Sequence, residues 1–428
     1  MYYPILRPAA QRQLKKIKQA DLVIGLPSYK NPQIAAHVAR VALQGAHQFY
    51  PHLRTVLINA DAGHQPATRQ AILSQVADSR NGNLVVSGRY EGLLGQGSAS
   101  AALLDAALAL DAQAIIILDS HNQAITPGCI AGLAHLILEN KVDLVIPRYR
   151  RWTSPDGAIN DLLAYPLLRA LWGQAVRHPT APDFALSSSL ATAVLDEDIW
   201  ATAVAQQGLP SWLVSYGITG PWRVAQSAIG ERWASPFSPQ TNGRSHNLAQ
   251  SFAARFCDLV SVIFDLINRY KSTWQSVQRI RSVPTLTHFA EDSHDSLITD
   301  PDDVVHLHDQ LALGWMEYRS VWQTILSPDD LALIEALASL SADQFHFPAD
   351  LWARMIYDFA VVFNKGEVDP VQVVGSLLPL FQGRKAAFLH EVAGLAFVGR
   401  EGTIGAQAVD FEEMLPYFKK RWNSYTPN

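Results

Sequence analysis

The fold is decided by the stretch Ala114-Ile-Ile-Ile-Leu-Asp-Ser-His-Asn-Gln-Ala-Ile-Thr-Pro127. A run of apolar residues leads into an acid, a small polar residue and a histidine, and the chain then turns at Thr126-Pro127. A continuous apolar run bounded by turn residues is typical of a buried parallel strand. In open α/β sheets, ligands bind just beyond the carboxyl ends of such strands. The pattern therefore predicts a ligand site at Asp119 and His121, whose spacing lets both side chains point the same way.

The sequence on either side of this stretch alternates between strand and helix patterns, which predicts a doubly wound, mostly parallel sheet. Pro32 stands where the first turn of a helix tolerates proline. The other predicted strands are Leu22–Leu26, Leu53–Ala60, Asn83–Ser87, Asp143–Pro147 and Leu213–Ile218. The predicted helices in this part are Gln33–Phe49, Thr68–Asp78, Ala99–Leu110, Ile130–Leu138 and Ile159–Gly173.

A glycine-rich loop, Gly88-Arg-Tyr-Glu-Gly-Leu-Leu-Gly-Gln-Gly-Ser-Ala-Ser100, leads into one of these helices. Glycines let backbone N–H groups approach a phosphate, and a helix N-terminus favours negative charge. Gly95, Gln96 and Gly97 are therefore candidate phosphate contacts. A plain flexible turn is the alternative, because the loop is not a Walker motif.

Helical spacing dominates the C-terminal part of the chain. Phe252, Phe256, Leu259 and Ile263 follow one another at three- and four-residue intervals in a long helix predicted over Leu248–Tyr270. We predict an α/β domain over residues 1–245 and an all-α domain over residues 246–428.

Composition excludes several classes of protein. The 428 residues are 48% hydrophobic and 17% charged, which is typical of a globular chain. A net charge of -5 argues against a nucleic-acid-binding surface, and no apolar run is long enough to span a bilayer. Cys129 and Cys257 are expected to be reduced core residues. With no signal-peptide pattern at the N-terminus, we expect a cytoplasmic protein without a transmembrane segment.

Further motifs resemble one family of enzymes. The chain resembles the GT-A fold retaining glycosyltransferases, and among them the glucosylglycerate, glucosyl-3-phosphoglycerate and mannosylglycerate synthases. The residues that carry the resemblance are Pro147-Arg-Tyr-Arg-Arg151, Asp156-Gly-Ala-Ile159, Tyr165-Pro-Leu-Leu-Arg-Ala-Leu-Trp-Gly173, Val176-Arg-His-Pro179, Asp183-Phe184, Trp352-Ala-Arg-Met-Ile-Tyr-Asp-Phe-Ala360 and Leu380-Phe-Gln-Gly-Arg384.

The resemblance implies transfer of a hexose from a nucleoside-diphosphate sugar to a small hydroxy acid such as glycerate, with retention of configuration. It implies that Asp183 is the catalytic acid of the acceptor site and that Asp119 and His121 hold Mn²⁺ or Mg²⁺. It also implies a homodimer formed through the helical tail. The residues that it assigns to the donor nucleotide are Pro27, Ser28, Tyr29, Gly95, Gln96, Gly97, Asp119 and Ser120.

The chain departs from the family pattern at several of these positions. A lysine usual in the glycine-rich loop is Gln96, and the usual Asp-x-Asp reads Asp119-Ser120-His121. The usual Gly-Gly before the acceptor-site acid reads Ala181-Pro182. A histidine that is usually the third metal ligand falls near Ala234, and an acid is replaced around Gly220-Pro221.

These departures leave alternatives open. His121 is either a metal ligand, since imidazole suits Mn²⁺ or Zn²⁺ better than Mg²⁺, or a neutral pocket histidine. Asp183 is either the acceptor-site acid or a helix N-cap. His246 is a substitute third ligand, and a group of arginines is an alternative source of positive potential, namely Arg89, Arg148, Arg150 and Arg151.

Three functional hypotheses follow. The first is a working hexosyltransferase. The second is a catalytically degenerate homologue that serves as a structural, regulatory or interaction subunit. The third is a transferase that handles a different substrate without metal.

Overall fold

The computed structural model describes residues 2–77, 84–152, 155–232, 245–286, 301–341 and 344–426. The chain divides into two compact units. The first unit comprises Met1–Gly157, Val176–Arg244 and Ser282–Phe289, and the second comprises Ala158–Ala175, Ser245–Arg281 and Ala290–Asn428. This division reflects packing rather than independent folding, so the domain boundary at residue 245 stays a prediction.

The first unit is built on a seven-stranded sheet with the order β3-β2-β1-β4-β7-β5-β8. All neighbouring strands run parallel except β7, which is antiparallel to both β4 and β5. The prediction of an α/β class with a mostly parallel central sheet and a helical C-terminal region is confirmed. The strands are β1 Leu22–Ser28, β2 Thr55–Asp61, β3 Leu84–Arg89, β4 Ala114–Ile117, β5 Leu144–Trp152, β7 Phe184–Ser187 and β8 Val224–Arg232; β6 Gln174–Ala175 and β9 Arg281–Ser282 are short strands outside this sheet.

The strand β4 lies in the middle of the sheet, between β1 and β7. All four of its residues are fully buried, as the apolar run predicts. β4 ends at Ile117, and β1 and β2 end at the same edge, where Ser28 pairs in register with Asp61. This carboxyl edge of the sheet is where the predicted ligand site should lie.

Helices flank this sheet. Pro32 and Pro127 each stand in the first turn of a helix, the position that tolerates proline. The α-helices described in the first unit are α1 Pro8–Ile17, α2 Pro32–Phe49, α3 Ala67–Ala77, α4 Gln96–Leu108, α5 Pro127–Leu138, α8 Ser188–Leu195 and α9 Leu209–Thr219. Along the chain, α6 Pro155–Ile159 crosses into the second unit, to which the π-helical turn Asn160–Ala164 and α7 Tyr165–Trp172 belong.

The predicted strand Leu213–Ile218 is wrong, because these residues lie within α9. Trp212, Leu213, Val214 and Gly217 are all buried, so this helix is apolar on most of its surface. A short apolar run looks the same in a buried helix as in a buried strand, and Pro210 in the first turn was the better signal. The strand in this region is β8, which the sequence reading missed.

The second unit is helical. Trp352 and Phe381 lie in its core without solvent exposure, and the Trp352 indole donates to the backbone oxygen of Leu162, 2.7 Å away. None of the helices in the described parts of the chain is long and apolar enough to cross a membrane. The helices of the second unit from residue 245 onward are α10 Ser245–Arg269, α11 Lys271–Ser276, α12 Pro301–Ile325, α13 Pro328–Ser339, α14 Ala349–Lys365, α15 Pro370–Glu391, α16 Phe397–Glu413 and α17 Leu415–Ser424.

A buried arginine links two helices of the second unit and the segment that precedes α14. Arg384 on α15 is fully buried and makes two hydrogen bonds to the carboxylate of Glu391, at 2.6 and 2.9 Å. Its Nε donates to Gln407 on α16 at 2.9 Å, and its Nη1 donates to the backbone oxygen of Phe347 at 3.1 Å. The motif Leu380–Arg384, which resembles the glycosyltransferase pattern, therefore has a structural role here.

Replacing Gly45 with alanine is expected to lower the free energy of unfolding by about 1–3 kcal/mol. α2 packs closely on α5 at this point, and an added Cβ would lie 2.5 Å from the backbone oxygen of Pro127. Urea denaturation followed by circular dichroism measures the change. Gly128→Ala is the control, because its Cβ meets nothing nearer than 3.7 Å. Equal losses in the two variants would contradict the close packing.

Replacing Arg384 with alanine is expected to cost about 3–5 kcal/mol, because Glu391 keeps its charge after losing its buried partner. Arg319→Ala on α12 is the control: Arg319 is exposed and lies 5.1 Å from the centre of the Trp315 ring. That contact is worth about 0.5–1 kcal/mol at an exposed site. Thermal denaturation of both variants tests this, and a small effect at Arg384 would show that the buried network is dispensable.

Candidate functional site

The loop after β4 places Asp119 at the carboxyl edge of the sheet. One carboxylate oxygen of Asp119, Oδ1, accepts the backbone N–H of His121 at 3.1 Å, and Nδ1 of His121 lies 3.1 Å from the same atom. The other oxygen, Oδ2, forms an ion pair with the Arg232 guanidinium. The predicted proximity of Asp119 and His121 is present, but the two side chains contact each other.

Asp183 lies directly behind Asp119. It stands just before β7, and because β7 runs antiparallel to β4, the start of β7 meets the end of β4 with Phe184 opposite Ile117. Oδ1 of Asp183 accepts the backbone N–H of Asp119 at 2.6 Å, and Oδ2 accepts the Tyr149 hydroxyl at 2.5 Å. Asp183 is not a helix cap, since Ser187 caps the next helix.

The two carboxyl groups have opposite pKa shifts. Burial alone would raise the pKa of Asp119, but the Arg232 charge and the contacts with His121 outweigh it and hold that pKa well below its usual range. Burial and the nearby charge of Asp119 raise the pKa of Asp183 to about 6, although Arg232 and the bond from Tyr149 oppose the rise. Burial, and then Asp183, raise the pKa of Tyr149 well above its ordinary value. Opposed shifts in adjacent buried groups are typical of functional sites.

Arg232 is the last residue of β8 and is only 4% exposed. It is the register partner of Trp152 at the end of the parallel strand β5, and its guanidinium lies 5.2 Å from the centre of the Trp152 ring. The register is irregular around Tyr149, which faces Gly230. Gly230 has a φ of +97°, a backbone conformation that side chains rarely adopt. This bulge sets the direction in which β8 approaches Asp119.

An aromatic wall of Tyr149, Trp152 and His178 borders the carboxylates. The centres of the three rings are 5.3–5.5 Å apart. The backbone N–H of Tyr149 donates to Nδ1 of His178 at 3.2 Å, which fixes the orientation of the imidazole. Arg150 turns away from this wall to pair with Glu231.

The ends of β1 and β2 place the predicted nucleotide contacts at the same edge. Ser28 donates to Oδ1 of Asp61 at 3.3 Å and accepts from Asn59 at 2.8 Å. Arg69 pairs with the other oxygen of Asp61 at 2.5 Å. Pro27 is buried in β1, whereas Tyr29 is 44% exposed, with the Lys30 ammonium 4.9 Å from the centre of its ring.

Ser120 is fully buried beneath the loop after β4. Asn31, just before α2, donates from Nδ2 to the backbone oxygen of Ser120 at 2.7 Å and to its hydroxyl at 3.1 Å. The Asn31 amide oxygen is buried and has no hydrogen-bond partner among the described residues. Ser120 therefore anchors the loop that carries Asp119.

The glycine-rich loop is covered by another part of the first unit. The backbone N–H of Gly97 donates to the backbone oxygen of Gln206 at 3.1 Å, and that of Gly95 donates to the Tyr90 hydroxyl at 3.2 Å. A Cβ at Gly97 would lie 2.1 Å from the backbone oxygen of Val204. These glycines allow two backbone segments to approach closely, and their role as phosphate contacts stays a prediction.

Two departures from the glycosyltransferase pattern contact each other. The side-chain amide of Gln96 donates to the backbone oxygen of Pro182 at 3.0 Å. Gln96 thus holds the chain immediately before Asp183. Two departures from the pattern therefore meet just before Asp183: Gln96 in place of a lysine, and Ala181-Pro182 in place of Gly-Gly.

The described residues around Asp119 do not fit a divalent cation. Such an ion needs several oxygen or nitrogen ligands directed at one point. Asp119 uses both oxygens, one towards His121 and one towards a positively charged guanidinium. In the described parts of the chain no three His, Cys, Asp or Glu side chains are grouped to hold a metal. Ala234 and the His246 side chain lie outside what is described, so the assignment of Asp119 and His121 as metal ligands stays a prediction.

Other residues singled out in the sequence lie elsewhere. Trp200 and Trp212 are buried core residues of the first unit. Tyr165, Arg169 and Trp172 belong to the second unit, where Arg169 pairs with Glu412 at 2.7 Å. The side chain of Arg151 lies outside the described residues, and Arg89 has a buried Nε with no hydrogen-bond partner among the described residues.

Sequence reasoning missed Tyr149, Trp152 and Arg232. Tyr149 falls within the motif Pro147–Arg151, but nothing in that motif points to a bond with Asp183. Arg232 ends a strand that was not predicted, and Gly230-Glu231-Arg232 was the available signal. A glycine followed by charged residues at a strand end is typical of a bulge that redirects side chains.

Comparisons with known proteins give distant likenesses only. No protein-family model and no curated protein sequence matches the chain. Among solved structures, glucosyl-3-phosphoglycerate synthase from Mycobacterium tuberculosis in complex with Mn²⁺, UDP and phosphoglyceric acid is 19% identical, with a TM-score of 0.41 over 59% of this chain and 81% of that one. A second structure of that synthase is 18% identical, with a TM-score of 0.40 over 69% and 91%. Overlap at this level identifies neither a substrate nor a reaction for this chain.

The pKa of Asp183 predicts how stability changes with pH. Its pKa is about 6 in the folded protein, above the 3.8 of an ordinary aspartate. Between these values the unfolded chain loses its proton first, so rising pH favours unfolding until about pH 6 and has no further effect above it.

Asp183→Asn removes the contribution of this carboxyl group to the pH dependence of stability. We expect the variant to gain roughly 3 kcal/mol relative to the wild type between pH 4 and pH 7, in proportion to the shift of that carboxyl from 3.8 to about 6. Urea denaturation at a series of pH values measures the difference. A constant difference between the two proteins across this range would contradict the raised pKa.

Proposed function

We propose that this protein is a GT-A type glycosyltransferase that moves a hexose from a nucleoside-diphosphate sugar to a small hydroxy acid such as glycerate, with retention. The observation that carries the proposal is the cluster of Asp119, Asp183 and Arg232 at the carboxyl edge of the parallel sheet. Buried charges reduce stability unless they are paired, so a cluster of three at a ligand-binding edge favours a functional role. The residue-by-residue resemblance of the sequence supplies the reaction class.

The first sheet strands are proposed to bind the nucleotide. Tyr29 is exposed and offers a ring for stacking on a base, and Ser28 lies beside it. Asp119 and Ser120 lie in the loop after β4, the strand next to β1, beside the region proposed for the diphosphate. The side chains of Asp119 and His121 are 13% and 32% exposed, so they face the ligand, whereas Asp183 and Tyr149 lie behind them.

In the transfer, the bond between the anomeric carbon and the diphosphate oxygen breaks, and a bond to the acceptor hydroxyl oxygen forms on the same face. The hydroxyl proton leaves with the diphosphate. Much of this reaction depends on positioning the two substrates. Asp183, proposed from the sequence as the acceptor-site acid, supports this positioning by holding the backbone of Asp119 and the hydroxyl of Tyr149.

Incubation of the purified protein with UDP- or GDP-hexoses and glycerate or 3-phosphoglycerate tests the proposal. Release of nucleoside diphosphate measures turnover, and NMR of the product gives the anomeric configuration. Reactions run both with Mn²⁺ or Mg²⁺ and with a chelator. Absence of turnover and of sugar-nucleotide binding at about 1 mM, the upper range of enzyme KM values, would overturn the proposal.

Asp183→Asn is expected to lower kcat by roughly 10²- to 10³-fold, the range for loss of a positioned acid or polar group. Urea denaturation of the same variant at the assay pH shows whether it is folded, so a loss of activity can be separated from unfolding. Glu139→Gln, an acid-to-amide change on an exposed helix end, is the matched control and should retain full activity.

A catalytically degenerate homologue is the second candidate. The covered glycine-rich loop favours it, because the Gly95 and Gly97 N–H groups already have partners within the protein. Such a protein would act as a structural, regulatory or interaction subunit. Binding of a sugar nucleotide without turnover on any acceptor would favour this candidate over the transferase.

A further inference from the structure

We propose that Arg232 takes the place of a divalent cation, so that this site binds a nucleoside diphosphate without metal. The inference rests on the proposed function, since it concerns the donor nucleotide of that reaction. It begins from the misfit between the residues at Asp119 and a metal ion. The protein supplies a fixed positive charge at the position where a bound cation would contact the carboxylate.

The position of Arg232 is set by the backbone. It is paired in register with Trp152 at the ends of two parallel strands, and the Trp152 ring lies against its guanidinium. Gly230, two residues earlier, adopts the left-handed conformation that bends β8 towards the loop after β4. The protein itself therefore holds the guanidinium in position, without a bound ligand.

The charge of Arg232 is permanent. A guanidinium stays protonated at any physiological pH, and the neighbouring carboxylates of Asp119 and Asp183 favour its charged form further. A metal ion bound to Oδ2 of Asp119 would lie next to this guanidinium and be repelled by it. The two cations therefore compete for one carboxylate, and Arg232 cannot dissociate from the protein.

Guanidinium groups bind phosphate through paired N–H donors. One carboxylate oxygen of Asp119 pairs with the Arg232 guanidinium, and His121 contacts the other oxygen of the same carboxylate. An arriving diphosphate replaces Asp119 as the partner of Arg232, and Asp119 keeps its contacts with His121. One ion pair is replaced by another, so the buried charge of Arg232 is never left alone.

This exchange predicts opposite effects for the two partners of the ion pair. Arg232→Gln should weaken UDP binding by roughly 10- to 100-fold, the range for a lost charge-assisted hydrogen bond. Asp119→Asn should bind UDP at least as tightly as the wild type, because it removes the competitor for Arg232. A metal ligand would behave differently, since its loss abolishes metal-dependent binding.

Isothermal titration calorimetry of the full chain with UDP, in EDTA and in Mn²⁺, tests the proposal. We expect the two affinities of the wild type to agree within about threefold, and Mn²⁺ alone to show no saturable binding in equilibrium dialysis. Arg223→Gln is the matched control: Arg223 immediately precedes β8, pairs with Asp143 and is 55% exposed. Its affinity for UDP should not change.

Arg232→Lys and the double variant Arg232→Gln/Asp119→Asn guard against misfolding. The first keeps a charge, and the second leaves no unpaired carboxylate, so thermal denaturation should find both folded. Weak UDP binding in the folded double variant supports the proposal, and wild-type affinity there overturns it. UDP binding that requires Mn²⁺ and is lost in Asp119→Asn overturns this inference alone. Absence of UDP binding under both conditions overturns it together with the proposed function.

Discussion

The ion pair between Asp119 and Arg232 organises the candidate site. It joins the loop after the central strand β4 to the last residue of the edge strand β8, across 113 positions of sequence. Asp183 then attaches to the backbone of Asp119, and Tyr149 attaches to Asp183. Asp183, Tyr149 and Arg232 are buried, whereas the Asp119 side chain is 13% exposed. Burial would raise the pKa of Asp119, but the Arg232 charge and the contacts with His121 outweigh it, whereas burial and the charge of Asp119 raise the pKa of Asp183.

Residues at which the sequence departs from the glycosyltransferase pattern take part in the packing of this site. Gln96 lacks the charge of a lysine, but it supports the chain before Asp183 by bonding to Pro182. The glycine-rich loop is packed against residues 203–206 rather than open at its N–H groups. The altered residues are thus connected to one another, as expected when substitutions occur in a network of shared contacts.

The sequence predicted the central strand, its burial and the acid at its end, because a continuous apolar run has few other structural solutions. The same logic failed for Leu213–Ile218, where a short apolar run forms a buried helix. The role of Arg232 was not predicted, for a different reason. Its partner is set by strand order and by a bulge at Gly230, and neither leaves a periodic pattern in the sequence. The glycines of the loop were recognisable as sites of close approach, but the approaching group, a backbone segment at Val204–Gln206, was not.

The reversed direction of β7 has a consequence for how such a site can change over evolutionary time. Six strands bring their ends to the ligand edge, so the residues there are tied to the strands that precede them. β7 instead begins at this edge, so the position of Asp183 depends on the connection that precedes β7, Val176–Pro182. Insertions or substitutions in that connection can move Asp183 while leaving the register of the parallel strands unchanged. The position of Asp183 and the positions of the residues that follow the parallel strands are in this way set by separable parts of the chain.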